Sequence, residues 1–242
     1  MERQRRMQPL GLVAAALLGV SACGAVESTP VPDRPAADSA PAASSAPAGA
    51  GGGQAGEASS LPGLPSAAQA AASLQELAVA EQGSMAGYSR EKFPHWASHG
   101  ENCDTREVIL ERDGTGIERD DECRAVSGNW KSVYDGKTFT DAGDLDIDHT
   151  VPLANAWRSG ADAWSQDERK AFANDLTHPQ LLAVSAGSNR SKGDQGPEEW
   201  QPPLESYWCV YGRSWTSVKA TYELTVTEDE KNWLTKMLDT CA

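Results

Sequence analysis

From residue 72 onward the apolar and polar positions fall into helical and strand periods that predict a series of elements. Residues 72–82 read as a short helix leading into the folded region. Asp104 is placed to cap a helix through Arg112, with Asp113-Gly114 ending it. Trp130 to Tyr134 and Lys137 to Thr140 carry aromatic and β-branched residues on either side of Asp135-Gly136, which predicts a hairpin. Leu145-Asp146-Ile147-Asp148-His149 alternates with a period of two and reads as a strand entering a loop at Pro152. Ser165 and Glu168 make a capping-box pattern for a helix through about Leu176, and Thr227 with Glu230 repeats it ahead of Trp233, Leu234, Met237 and Leu238. Tyr207, Trp208, Tyr211, Trp215, Val218 and Tyr222 recur mostly every three or four residues, so 205–222 is an amphipathic helix whose aromatic stripe belongs in the core. The expected class is α+β, with the last two helices packed as a hairpin and no internal repeat.

Upstream the composition changes. Residues 24 to about 70 are dominated by Ala, Gly, Ser and Pro, with the run Gly49-Ala50-Gly51-Gly52-Gly53 and no aromatic residue. Such a stretch buries too little apolar surface to offset its ordering entropy, so it reads as a flexible linker. All eight Trp lie between Trp96 and Trp233. The first 22 residues read as a signal peptide: Arg3, Arg5 and Arg6 precede an apolar stretch from Leu10 to Val20. It ends in Val20-Ser21-Ala22-Cys23, which resembles a bacterial lipobox, so Cys23 is expected to be lipidated and to anchor the chain at the outer face of the membrane. An ordinary secretory signal with an incidental Cys is the alternative. The expected organisation is a signal peptide (1–22), a lipidated Cys with its linker (23–70) and one domain (71–242).

Setting Cys23 aside leaves Cys103, Cys123, Cys209 and Cys241. An even number in an exported chain reads as two disulfides with three possible pairings. Cys103–Cys123 and Cys209–Cys241 are favoured because each brackets a compact local unit. No C-x-x-C pair appears, which weighs against a structural zinc site. The net charge is −14, and from residue 94 onward 27 acidic residues stand against 15 basic ones. That balance opposes tight non-specific binding of nucleic acid, though not cleavage at a locally basic cleft.

Two segments carry the chemistry: Asp146-Ile147-Asp148-His149-Thr150-Val151-Pro152-Leu153 and, about forty residues on, Asn189-Arg190-Ser191-Lys192-Gly193-Asp194. They offer a carboxylate beside an imidazole at a strand end, then an amide close to Arg and Lys. Phosphodiester hydrolysis needs a base to activate water and a cation to stabilise charge on the phosphate and leaving oxygens. Asp and Asn oxygens suit Mg²⁺, with Mn²⁺ as a substitute, and one His suffices as base.

The pair D-I-D-H-T-V-P-L and N-R-S-K-G-D closely resembles the HNH, or ββα-metal, endonucleases, including the HNH domain of RNA-guided DNA nucleases and the GmrSD-type HNH proteins. The region from about Phe93 to the C-terminus resembles exported actinobacterial HNH-family proteins. The resemblance implies a ββα-metal core, here with additional helices and two disulfides, that hydrolyses nucleic acid, DNA foremost. It gives Asp148 the role of metal-binding carboxylate, His149 that of general base and Asn189 that of second metal ligand. The family often has an Asn about nine residues before the last motif Asn, orienting the base. Here that place falls on Gln180, preceded by His178-Pro179; Gln180 or His178 can fill the role, or it can be filled elsewhere.

Blander roles stand beside these. Asp148 and His149 could cap a loop or form a surface ion pair, Asn189 could be a helix N-cap, and Asp146 could be an exposed carboxylate instead of a ligand or a partner of one. Arg190 and Lys192 could contact phosphate or simply line a solvated helix face. His178 could be structural, and His95 and His99 read as packing or surface residues. No protein partner is expected. A nuclease-like lipoprotein that binds without turnover is the competing class, and the absence of H-E-x-x-H argues against a metallopeptidase.

Overall fold

A computed structural model describes residues 61–241; the expected signal peptide of residues 1–22, Cys23 and the expected linker as far as residue 60 lie outside the described residues. Helix α1 (Ala67–Glu76) opens with a reciprocal capping box between Ser66 and Gln69 and buries Ala70 and Leu74. It starts five residues before the helix expected at 72–82, because the Ser66 cap sets its beginning. Leu61 and Leu64 pack against the same core. The end of the presumed linker therefore contributes apolar contacts that its Ala, Gly, Ser and Pro content concealed.

Strands β1 (Ser98–Gly100) and β2 (Cys103–Asp104) pair antiparallel and lead into α2 (Thr105–Asp113). Asp104 caps α2 through the Glu107 N–H, as the sequence predicts. A three-stranded antiparallel sheet follows, made of β3 (Gly114–Arg119), β4 (Ala125–Lys131) and β5 (Thr138–Phe139) in that order. The expected hairpin is its β4–β5 half, with Trp130 opposite Phe139 and Gly136 at φ 72° in the turn. Trp130 is buried and donates its indole N–H to the Leu110 carbonyl at 2.7 Å. A side chain at Gly114 or Gly128 would collide with that indole, which is why this sheet carries glycine there.

Next come β6 (Leu145–His149), α3 (Leu153–Arg158), α4 (Gln166–Ala173), β7 (Leu181–Ser185) and α5 (Ala186–Lys192). Helix α4 has the expected capping box but stops at Asn174, short of Leu176. The Asn174 amide is recruited instead by Ala97, Thr105 and Pro94. β6 and β7 pair antiparallel, from Leu145 opposite Ser185 to His149 opposite Leu181, and α5 follows β7 directly. Helices α6 (Trp208–Thr221) and α7 (Glu228–Leu238) pack on each other and on α1.

The class is α+β. Both favoured disulfides are present, Cys103–Cys123 and Cys209–Cys241, the second joining α6 to the end of α7. Tyr207, Tyr211, Trp215 and Val218 lie in the larger of two hydrophobic clusters. The β6–β7 ribbon separates the two. Leu145, Ile147, Leu181 and Ala183 face the smaller cluster, whereas Leu182 and Val184 face the larger.

Candidate nuclease-type site

The alternation of β6 decides where the motif side chains point. Asp146 and Asp148 share one face, and α5 folds back onto it. Asn189 donates its Nδ2 to Asp146 Oδ2 at 3.2 Å, and the exposed Arg190 lies 3.6 Å from the same oxygen. Three residues on, one turn further along α5, Lys192 donates to Asp148 Oδ1 at 3.0 Å. The strand and the helix thus meet at two matched pairs, Asp146 with Asn189 and Asp148 with Lys192.

The two pairs differ in exposure. Asp146 keeps 30% of its side-chain surface, whereas Asp148 and Lys192 are almost wholly enclosed. Tyr134 donates to Asp148 Oδ2 at 2.5 Å, so both carboxylate oxygens are engaged from within the protein. Burial pushes the Asp148 carboxyl above its usual range, with Lys192 and Tyr134 opposing, and burial pushes Lys192 down against the pull of Asp148. The expectation of Lys192 on a solvated helix face or at a phosphate is corrected here: the buried carboxylate draws its ammonium inward.

His149 lies on the other side. Its Nε2 donates to the Ala173 carbonyl at 3.0 Å, which leaves Nδ1 as the acceptor nitrogen, and its ring lies 6.5 Å from that of Trp96. Burial, with Arg90, Lys192 and His95 acting in the same direction, lowers its pKa to about 3 against the Ala173 hydrogen bond. The imidazole is therefore neutral. Neither Gln180 nor His178 orients it. Gln180 is fully buried and clamps Val151, accepting from its N–H at 3.0 Å and donating to its carbonyl at 2.9 Å. His178 Nδ1 bonds Asp175 at 2.7 Å. The anchor is a backbone carbonyl at the end of α4, which no residue type could have signalled.

Asp148, His149 and Asn189 therefore do not converge on one point in this arrangement. Among the described residues no three His, Cys, Asp or Glu side chains group as a metal cage. Asp146 keeps an accessible carboxylate of the hard-oxygen kind that suits Mg²⁺, whereas Asn189 turns its Nδ2 toward it and would add an oxygen only with its amide reversed. Asp148 joins that set only if Lys192 is displaced.

Beside this edge runs a groove of about 310 Å³ lined by Lys137, Phe139, Gly143, Asp144, Gly187 and Arg190, among others. Arg190 belongs to both groove and motif. Sequence reasoning missed Lys137 and Phe139 as site neighbours, since they were legible only as hairpin residues.

The domain described as "GmrSD restriction endonucleases, C-terminal domain" matches residues 106–237. Each disulfide ties a residue inside that segment, Cys123 or Cys209, to one outside it, Cys103 or Cys241. An uncharacterized secreted protein of Arthroderma benhamiae is 56% identical over 175 residues, covering 72% of this chain and 86% of the relative. No solved structure matches the chain. With more than half of its length matched, and with β6 and α5 inside the match, the chain belongs to the family of GmrSD restriction endonuclease C-terminal domains.

Proposed function

We propose that this domain hydrolyses phosphodiester bonds in nucleic acid, DNA foremost, as an HNH-type endonuclease acting outside the cytoplasm. The observation that carries this reading is the double contact of α5 with β6, Asn189 on Asp146 and Lys192 on Asp148, which joins the two halves of the motif. Family membership supports a nuclease-type activity. The two disulfides fit export, as does the secreted character of the Arthroderma relative, and lipidation of Cys23 would hold the enzyme at the membrane.

In this reading Asp146 and Asn189 hold a divalent cation, Mg²⁺ or Mn²⁺, which when bound neutralises charge on the phosphate. Asp148 is the fixed counter-charge of Lys192 and joins the ligand set on its release. His149 is the base. To act there its Nδ1, enclosed on the face opposite Asp146 and Asn189, would have to reach the attacking water; as it takes that water's proton the new O–P bond would form, the P–O bond to the leaving oxygen would break, and the leaving oxygen would take a proton from solvent. Arg190, largely exposed at the motif edge, contacts phosphate.

A second reading has its own observation. A His149 enclosed and lowered to about 3 is a weak base, and Asp148 sealed by Lys192 offers no open oxygen, both of which suit a nuclease scaffold that binds without turnover.

Supercoiled-plasmid cleavage by the disulfide-intact protein, with Mg²⁺, Mn²⁺ or EDTA, separates the two. The enzyme reading expects metal-dependent nicking that Asn189→Ala lowers by roughly 10–100-fold and His149→Ala by about 100-fold or more. A folded protein that leaves plasmid, single-stranded DNA and RNA intact with either metal sinks it in favour of the binding module.

A further inference from the structure

The groove beside the motif edge has a composition at odds with the rest of the domain. Where the chain from residue 94 onward is strongly acidic, this groove presents Lys137 and Arg190, with 70% and 75% of their side-chain surfaces exposed, against Asp144 as its acidic lining residue. Phe139 lines the same groove as a half-buried ring. The floor is cut back at Gly187, where an added Cβ would meet nothing within 4 Å. The groove is continuous with the motif, because Arg190 lines the one and approaches Asp146 in the other.

We infer that this groove seats a single nucleic-acid strand. Arg190 and Lys137 take successive backbone phosphates, and Phe139 lies against the sugar or base between them. The inference rests on the nucleic-acid reading above and specifies how that substrate is held. Two cations and an aromatic ring lining one groove match a strand whose charge is on its phosphates and whose bases offer flat faces. The volume lies at the lower end of ordinary ligand pockets, which start near roughly 300 Å³, so it takes about one nucleotide unit and not a duplex. The domain as a whole is acidic, so binding at such a local patch should be weak and strongly salt-dependent.

Each basic residue has a carboxylate neighbour that orients it, and each remains largely exposed. Lys137 lies 3.3 Å from Asp135, whose carboxylate is held in place by the Ser185 and Ser188 hydroxyls. Arg190 lies 3.6 Å from Asp146, longer than a charge-assisted hydrogen bond and open to exchange for phosphate.

The test uses the full disulfide-bonded chain and a fluorescein-labelled single-stranded DNA 12-mer, with anisotropy read in EDTA at several salt concentrations. Cleavage of the same 12-mer is followed separately in Mg²⁺. Gly187→Trp fills the groove from an open backbone position and Lys137→Glu inverts one of its charges. Each should weaken 12-mer binding about ten-fold or more, while thermal unfolding stays within a few degrees of wild type. Lys137→Ala should make the salt slope shallower by about one counterion. Wild-type affinity in both Gly187→Trp and Lys137→Glu overturns the groove, and so does a wild-type chain that does not bind the 12-mer at low salt. Failure of the nuclease reading is distinct, since it appears as intact 12-mer in Mg²⁺ from a chain whose groove-dependent binding persists in EDTA.

Discussion

The ammonium of Lys192 lies 2.9 Å from Asp148 Oδ2 and 2.8 Å from the His149 carbonyl oxygen, inside the core and beneath the ring of Trp215. A positive charge on α5 thus neutralises a negative charge on β6 where water does not reach. Such a pair fixes the strand against the helix, and its members depend on each other far more than a surface pair would.

Lys192→Met should accordingly cost about 3–5 kcal/mol at pH 7, because it leaves the Asp148 carboxylate enclosed without a counter-charge. Adding Asp148→Asn should recover most of that loss. Urea unfolding of the single and double variants checks both, and simple additivity of the two costs would contradict the coupling.

Acid stability should report on Asp175. Burial raises its carboxyl, but hydrogen bonds from the Thr177 backbone and hydroxyl, His178 and Tyr222 outweigh that and hold its pKa below the usual carboxylate range. A depressed folded value stabilises the protein above the unfolded pKa of about 3.9, and the gain disappears as pH falls through the folded value. Asp175→Asn should therefore be less stable at pH 7, with the gap to wild type closing below about pH 4. Unfolding midpoints measured from pH 3 to pH 7 decide this; a gap constant with pH would contradict it.

Gln180 ties the loop after β6 to the residue before β7 through both ends of its amide. Gln180→Ala should cost about 1–3 kcal/mol by leaving the Val151 backbone groups buried and unpaired. Gln180→Glu should be worse than a near-isosteric change suggests, since an ionised carboxylate cannot donate to the Val151 carbonyl. Equal stability of Gln180→Glu and wild type at pH 7 would remove this role.

The Cys209–Cys241 bridge closes a 32-residue separation across α6 and α7. Replacing both Cys with Ser should cost about 3–4 kcal/mol through the freedom regained by the unfolded chain. Helical circular dichroism at room temperature should survive, because Trp215, Leu234 and Met237 remain packed in the main cluster. Loss of helical signal without denaturant would show that the bridge is needed for α7 to dock.

What the sequence determined by itself is local. Ser165 with Glu168 and Thr227 with Glu230 close reciprocal hydrogen bonds within one turn, so those helix starts are legible wherever the rest of the chain lies. The Asp135-Gly136 turn, the Asp104 cap and the alternation of β6 are legible for the same reason, and both disulfides join residues close enough along the chain to bracket local units. The tertiary structure decided the rest. β3, interrupted by Gly114 and Gly116, lacks a period-two pattern and is a strand because β4 pairs with it; the short apolar run of β7 could equally be helix until β6 lies beside it. It also decided the site. Lys192 reads as a surface cation until a buried carboxylate lies within reach, and the anchor of His149 is a backbone carbonyl that every residue type carries. Asp148 and His149 are neighbours in the chain, yet a strand sends consecutive side chains to opposite faces, so only the folded sheet assigns each its partners.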